Sequence, residues 1–474
     1  MNPTDRVHVT RALSELLGQD AFVTEPHELA RYEKGWRYGA GTALVVVRPR
    51  DTGEVARVLA FASENRIRLL AQGANTGLVG ASTPDASGEM LVLSLERLTK
   101  RLEIDPINRT ALVDGGVLLS TLNTALVEHG LMFPIDLGAD PTLGGMIATN
   151  TGGTRLLKYG DVRHNLQGLE VVLADGTVVD ALNGLRKNNT GLDIAQLFVG
   201  TSGIYGVITG AVVQVVPLPR QQATALVGCV SGEAVLALLQ TLERDLADVL
   251  TAYEVISANA LGPVFTHHPD IRNPYGASQP PAYTVLIELS STLPEAALNL
   301  SDVLEERLGA FLETDGEEAL TDVFMGKAEG FWAIRHHISE SLRSEGKVLA
   351  FDISVPRSRM AAFTAAAVTL LAREYPYIRA CDFGHWGDGG THLNLVWREA
   401  DAPRPTPELV AELQAKIYEL AVRGFAGSYS AEHGVGPHNQ RFYDAYTSAP
   451  VKAINQALKA HLDPGHLLGT TRLS

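Results

Sequence analysis

The stretch DLGADPTLGGMIATNTGG, residues 136–153, places six glycines or asparagines in positions suited to neither a regular helix nor a regular strand. About 65 residues earlier, AQGANTGLVG (71–80) forms another glycine loop directly after the strand-like run IRLLA (67–71). Gly73, Gly77 and Gly80 let backbone amides gather around an anionic group without Cβ clashes. One such loop also reads as an ordinary turn. Two in the same half of the chain point to a phosphate-bearing cofactor held by backbone from two sides.

Working outward, ALVVVRP (43–49) is a buried-strand run, and DTGEVARVLAFASENR (51–66) has helical spacing at Val55, Val58, Leu59 and Ala62. Asp51 or Thr52 is its expected N-cap. Strand, helix, strand and glycine loop make a βαβ-like start, preceded by a helical segment over 1–38. LVLSL (91–95), the segment around 110–113 and the hairpin LEVVLADGTVVDA (169–181) add strands. The hairpin is expected to turn on the two residues Asp175-Gly176. VITGAVVQVVPLP (207–219) closes this half, and Pro217 and Pro219 mark a boundary.

Beyond it, helical patterns at 233–250, 295–309, 358–374 and 407–425 alternate with strands at 282–290, 348–356 and 393–397. DAPRPTP (401–407) is a proline-rich loop. The pattern is α+β with mostly antiparallel pairing. No repeat or low-complexity segment interrupts it.

Composition narrows the function. The 474 residues carry 39 Lys and Arg against 54 Asp and Glu, a net charge of −15, which disfavours nucleic acid as a partner. Apolar residues at 45% and charged residues at 20% exclude disorder. Cys229 and Cys381 are too few and too far apart for a disulfide framework, a thiolate zinc site or an iron–sulfur cluster, and they suit a reducing cytoplasm. The most apolar stretch, 361–372, falls short of the roughly 20 residues a membrane span needs, which leaves peripheral contact with an inner membrane open.

The second half carries two histidine motifs. In GHWGDGGTHLN (384–394), His385 and His392 are seven residues apart and would face opposite sides of a continuous strand. The GDGG between them must turn, with Asp388 as a turn residue, and a turn can bring both imidazoles to one point. Asn394 shares a side with His392. In SAEHGVG (430–436), Glu432 and His433 are adjacent between glycines. Alone, Glu432 reads as a solvated loop carboxylate. With two histidines it completes a ligand set for zinc or another divalent metal, and leaves His433 as a general base near neutral pH.

Taken in order, QGANTGL, DLGADPTLGGMIATNTGG, LKYGDVRHNLQGLEVVLADGTVV and LFVGTSGIYGVIT resemble the FAD-binding domain of the vanillyl-alcohol oxidase/PCMH-type flavoproteins. The resemblance implies FAD contacts at Gly73, Asn75, Thr76, Gly77 and Leu78, at Pro141, Thr142, Gly145, Asn150 and Gly153, and at Ile208. Neither loop contains histidine or cysteine, so the flavin is expected to be non-covalent. The histidine motifs, with FWAIRHHISESLRSEGKVLAFDISVP (331–356), resemble the C-terminal domain of the FAD-linked D-2-hydroxy-acid dehydrogenases, which include D-lactate and D-2-hydroxyglutarate dehydrogenases and the glycolate oxidase catalytic subunit. That resemblance implies metal ligands His385, His392 and Glu432, base His433, and substrate contacts Arg335, Ser339 and Asn394. Arg335 also reads as a surface helix arginine, although its planar fork suits a carboxylate clamp. Two departures stand out: Ala350 occupies a position where many members carry lysine, and LDPGHLLGTTRLS lacks the usual NPxK ending.

The expected architecture is therefore α+β. A PCMH-type FAD-binding domain spans 1–218, and an antiparallel substrate and metal domain spans 219–474, with the tail from about 426 returning toward the flavin. The expected activity is oxidation of a D-2-hydroxy acid, with electrons passed to a quinone, a cytochrome or an electron-transfer flavoprotein, and a homodimer is allowed. An electron-transfer or assembly subunit, and a non-redox flavin-dependent lipid-precursor transferase, are the competing readings.

Overall fold

A computed structural model describes residues 3–23, 25–316, 318–398 and 403–474, so positions 1–2 of the expected N-terminal helix and 401–402 of the proline-rich loop lie outside the described residues. The chain divides into two compact units. The first gathers Met1–Gly153, Gly160–Leu218 and Glu432–Ser474; the second gathers Thr154–Tyr159 and Pro219–Ala431.

The first unit contains two main sheets. One is built from β1 (Phe22–Val23), β2 (Ala43–Val47), β3 (Arg68–Gln72) and β4 (Met90–Ser94), in the order β1-β2-β4-β3. β4 pairs in parallel with both β2 and β3. Every residue of β2 and of β4 is buried, as continuous apolar runs in a parallel sheet require. The crossover helix Thr52–Glu64 starts where Asp51 accepts the Glu54 amide, and it buries Val55, Val58, Leu59 and Ala62. The second sheet is antiparallel at every pair: β5 (Leu102–Asp105), β6 (Thr110–Asp114), β8 (Leu166–Val172), β9 (Val178–Ala181) and β10 (Val207–Gln214), ordered β5-β6-β10-β8-β9. A small pair joins β7 (Leu131–Met132) to β11 (Val216–Pro217).

Two local expectations need correction. The glycine stretch at 136–153 does contain a helix, Leu143–Thr149. Thr142 caps it by accepting the Gly145 amide, and Asn150 ends it at φ 51° in the left-handed region. Cap chemistry at both ends outweighs the glycine pair inside. The 169–181 hairpin also turns differently. The Gly176 amide bonds the Leu173 carbonyl and Gly176 sits at φ +87°, so the loop is Ala174-Asp175-Gly176 with a left-handed third residue.

The C-terminal segment extends the first sheet. Leu468 bridges Leu69 in parallel on the free side of β3, with the Leu69 amide bonding the Leu467 carbonyl and the Gly469 amide bonding the Leu69 carbonyl. Lys459 secures this return: its Nζ donates to the Ile204 carbonyl at 2.7 Å, to the Leu468 carbonyl at 3.1 Å and to Asp463 at 2.6 Å.

The second unit holds one seven-stranded antiparallel sheet: β12 (Gln221–Cys229), β13 (Leu250–Ser257), β14 (Tyr283–Ser291), β15 (Leu320–Gly326), β16 (Lys347–Ser354), β17 (Ile378–Gly384) and β18 (Gly390–Trp397). Their order is β15-β12-β14-β13-β17-β18-β16. One face packs Leu226, Ile256, Leu286, Phe383 and Val396 against the helices Ala258–His267 and Ala328–Glu345. The helix Gly232–Leu246 lies against the other, where the Tyr253 hydroxyl donates to the Val235 carbonyl at 2.6 Å. The helix expected at 295–309 runs Leu300–Phe311, because Asn299 caps the amides of Ser301 and Asp302. Among the described residues, no helix is long and apolar enough to cross a membrane.

Candidate functional site

In the first unit the two glycine loops touch. A Cβ at Gly73 would come within 2.2 Å of Thr142 Oγ1, so glycine lets the loop after β3 close on the cap of the Leu143–Thr149 helix. Asn75, at φ 56°, spends its amide internally: Nδ2 donates to the carbonyls of Arg31 and Lys34, and Oδ1 accepts from Ser82. Asn150 does likewise, donating to Asp161 and accepting from the Arg163 amide. Both asparagines therefore shape their loops. Beside these contacts opens a 530 Å³ cavity, lined in part by Gln72, Gly73, Asn75, Gly116, Val117 and Thr142. Gly77 has only one side-chain atom near an added Cβ, at 3.6 Å, and Gly138 has nothing within 4 Å, so backbone there is open to a ligand. Thr76, Gly77 and Leu78 are half-buried, whereas Ile208 is buried in β10. A cavity lined in part by these glycine-bearing loops fits the phosphate-bearing part of a dinucleotide.

In the second unit, β17 ends at Gly384 and β18 begins at Gly390, so the GDGG segment turns between them. Asp388 accepts the Gly390 amide at 2.9 Å. The rings of His385 and His392 come to 5.1 Å between centroids, nearly perpendicular. Asn394, buried two residues on, donates to the His392 carbonyl at 3.0 Å. Register also places Asp352 of β16 directly opposite His392, with their donor atoms within 4.8 Å. Asp352 carries no role in the sequence reading, because only the β16–β18 register brings it there.

Arg335 is no surface arginine. It is 9% exposed, its guanidinium lies over the Phe383 ring at 4.6 Å, and its Nε donates to Glu254 at 2.6 Å. Glu254, on β13, is 1% exposed, and its other oxygen lies 2.5 Å from His385 Nδ1. Burial alone would raise the Glu254 carboxyl, but His385 and Arg335 beside it hold it down at about 2. Ser339, one turn beyond Arg335, is exposed. A parallel pair lies nearby: buried Glu288 of β14 accepts from Trp332 Nε1 at 2.8 Å and from Arg155 Nε at 3.2 Å. Ala350 pairs with Asn394 and offers no charge. Ala431 donates its amide to the Asp352 carbonyl at 3.3 Å, and Glu432 and His433 follow it in the chain.

Glu432 and His433 approach each other to 3.7 Å. Asn439 staples their loop, accepting the Gly436 amide and donating to the Gly434 carbonyl, both at 2.9 Å. His438 stacks on Tyr38 at 3.6 Å, and burial, with Arg37 and Arg441 nearby, lowers its pKa to about 4. It is held neutral at physiological pH.

On the far face of β17, buried Asp382 has one oxygen with no partner among the described residues. Burial raises its carboxyl from 3.8 to about 6 despite its own backbone amide and Ser257. An acid raised this way costs stability as pH climbs from its unfolded to its folded pKa, and the cost is constant above that. Asp382→Asn should therefore stabilise the protein by up to about 3 kcal/mol at pH 8, with the gain roughly halved at pH 5. Urea unfolding at the two pH values checks it; a gain independent of pH counts against an ionisable origin.

Residues 43–182 match the FAD binding domain family, and residues 218–471 match the C-terminal domain of the FAD linked oxidases. Over 465 residues the chain is 36% identical to the mitochondrial D-2-hydroxyglutarate dehydrogenase of Bos taurus, covering 95% of this chain and 80% of that protein. It is 29% identical to the D-2-hydroxyglutarate–pyruvate transhydrogenase of Saccharomyces cerevisiae, covering 94% and 89%. Among solved structures, p-cresol methylhydroxylase with substrate bound aligns at TM-score 0.72 and 16% identity, over 98% of this chain and 96% of that one, a likeness of fold.

Proposed function

The chain belongs to the FAD-linked oxidases, and from that membership we propose that it is a dehydrogenase that oxidises a D-2-hydroxy acid to the 2-oxo acid. The observation that carries this reading is the close pairing of His385 and His392 at a sheet end that also holds buried Arg335.

When bound, FAD supplies an acceptor for the hydride leaving C2, and a divalent metal, zinc in our reading, supplies a Lewis acid for the hydroxyl. FAD would be held non-covalently by Gly73, Asn75, Thr76, Gly77 and Leu78 of the first loop, by Pro141, Thr142, Gly145, Asn150 and Gly153 of the second, and by Ile208. His385, His392 and Glu432 would hold the metal, and Asp352, opposite His392, is a further candidate. Arg335 keeps both Nη atoms clear of any acceptor among the described residues, so its outer edge can take both oxygens of the substrate carboxylate. Asn394 and Ser339 complete the substrate contacts. His433 removes the hydroxyl proton. The acceptor that would reoxidise a bound flavin is, in our reading, a quinone, a cytochrome or an electron-transfer flavoprotein.

Anaerobic mixing with D-lactate, D-2-hydroxyglutarate, D-malate and longer D-2-hydroxy acids tests the reading through flavin bleaching. At least one acid should bleach the flavin. Stripping the metal with a chelator should slow bleaching at least about tenfold, and added zinc should restore it. No bleaching by any acid would favour the electron-transfer subunit or the lipid-precursor transferase. Bleaching indifferent to chelation would remove the metal from the reading.

A further inference from the structure

One carboxylate stands between the two groups assigned above to metal and to substrate. Glu254 lies on β13, 81 residues before Arg335 and 131 before His385, and it meets both through opposite oxygens. It is almost fully buried and has no other hydrogen-bond partner among the described residues. An ionised carboxylate only accepts, so the His385 nitrogen facing it, Nδ1, carries the proton. The ring then presents Nε2 as its lone-pair nitrogen, the form a metal requires. The same carboxylate engages Arg335 through Nε, the edge of the guanidinium away from the fork, and Phe383 supports the guanidinium plane.

We propose that Glu254 is a positioning residue that sets the His385 tautomer and the Arg335 orientation together, so one buried carboxylate aligns the metal ligand with the carboxylate clamp. The inference rests on the metal and substrate reading above. It goes further in assigning a residue that touches neither group, and in coupling two subsites through it. A carboxylate behind a ligating histidine raises the basicity of the ligand and fixes its ring, and loss of such a partner typically weakens metal binding about 10–100-fold. Glutamine at position 254 can accept from only one of the two neighbours and must turn its amide hydrogens toward the other.

The test uses the purified full-length flavoprotein, stripped of metal and titrated with Zn²⁺ against a competing chromophoric chelator. Glu254→Gln should bind zinc about 10–100-fold more weakly than wild type. It should also raise KM for the best D-2-hydroxy acid by a larger factor than it lowers kcat, because the clamp acts before chemistry. Glu254→Asp, which keeps the charge, should recover part of both losses. Zinc affinity and KM both within twofold of wild type in Glu254→Gln would overturn the proposal. If the variants do not fold, ¹⁵N-histidine NMR of the wild-type protein decides, with His385 assigned through His385→Asn. Protonated Nδ1 supports the proposal and protonated Nε2 overturns it. Wild type that binds no zinc refutes the metal reading separately, and the tautomer and the KM effect still judge Glu254.

Discussion

Replacing His433 with asparagine should lower the rate of flavin bleaching by a D-2-hydroxy acid by about 10²–10⁴-fold, the range lost when a positioned general base is removed. Asparagine keeps polarity and approximate size but cannot take up a proton at neutral pH. The loop itself should survive, because Asn439 staples it through the Gly436 amide and the Gly434 carbonyl. Flavin content should therefore stay near wild type. Stopped-flow bleaching at neutral pH measures the effect. A loss under tenfold would assign the proton to another group.

Lys459→Met should cost about 3–5 kcal/mol of stability, since removing one partner of a buried ion pair strands the other. Asp463 is 0% exposed, and burial lowers the Lys459 ammonium from its ordinary range even with Asp463 opposing the shift. Lys459 also holds the carbonyls of Ile204 and Leu468, so its loss should loosen the chain beside Gly469 as well. Hydrogen exchange should localise this: the Leu69 amide, bonded to the Leu467 carbonyl, should exchange faster than the amides of β4. Adding Asp463→Leu should recover only part of the loss. Asp463 accepts the amides of Leu467 and Leu468, and leucine leaves both without an acceptor. Unchanged unfolding midpoints would show that the pair contributes nothing net.

Local rules read the chain well where burial follows a simple period. The Thr52–Glu64 helix is legible from its cap and from Val55, Val58, Leu59 and Ala62 because all five signals lie within one segment. The Leu143–Thr149 helix is hidden because composition averages over a cap that acts through one hydroxyl, that of Thr142. The candidate site divides in the same way. The turn between His385 and His392 is local and readable from the glycines. Asp352 depends on how β16 registers against β18, and Glu254 on β13 lying beside β17. Glu254 also sits within TAYEVIS, where a buried acid among apolar residues gives no spacing signal. Pairings across 40 or 131 residues are fixed by sheet order, which strand propensity does not encode.

The pairing of Leu468 with Leu69 has a consequence for biosynthesis. β3 leaves the ribosome about 400 residues before its outer partner, some 20–80 s at typical elongation rates of about 5–20 residues per second. Over that interval the nascent chain carries an open strand edge of the sort that recruits other strands. A chain that stops short of Leu468 would keep the outer edge of β3 unsealed. Damage from such a stop should therefore appear about 400 residues upstream, as clumping through β3.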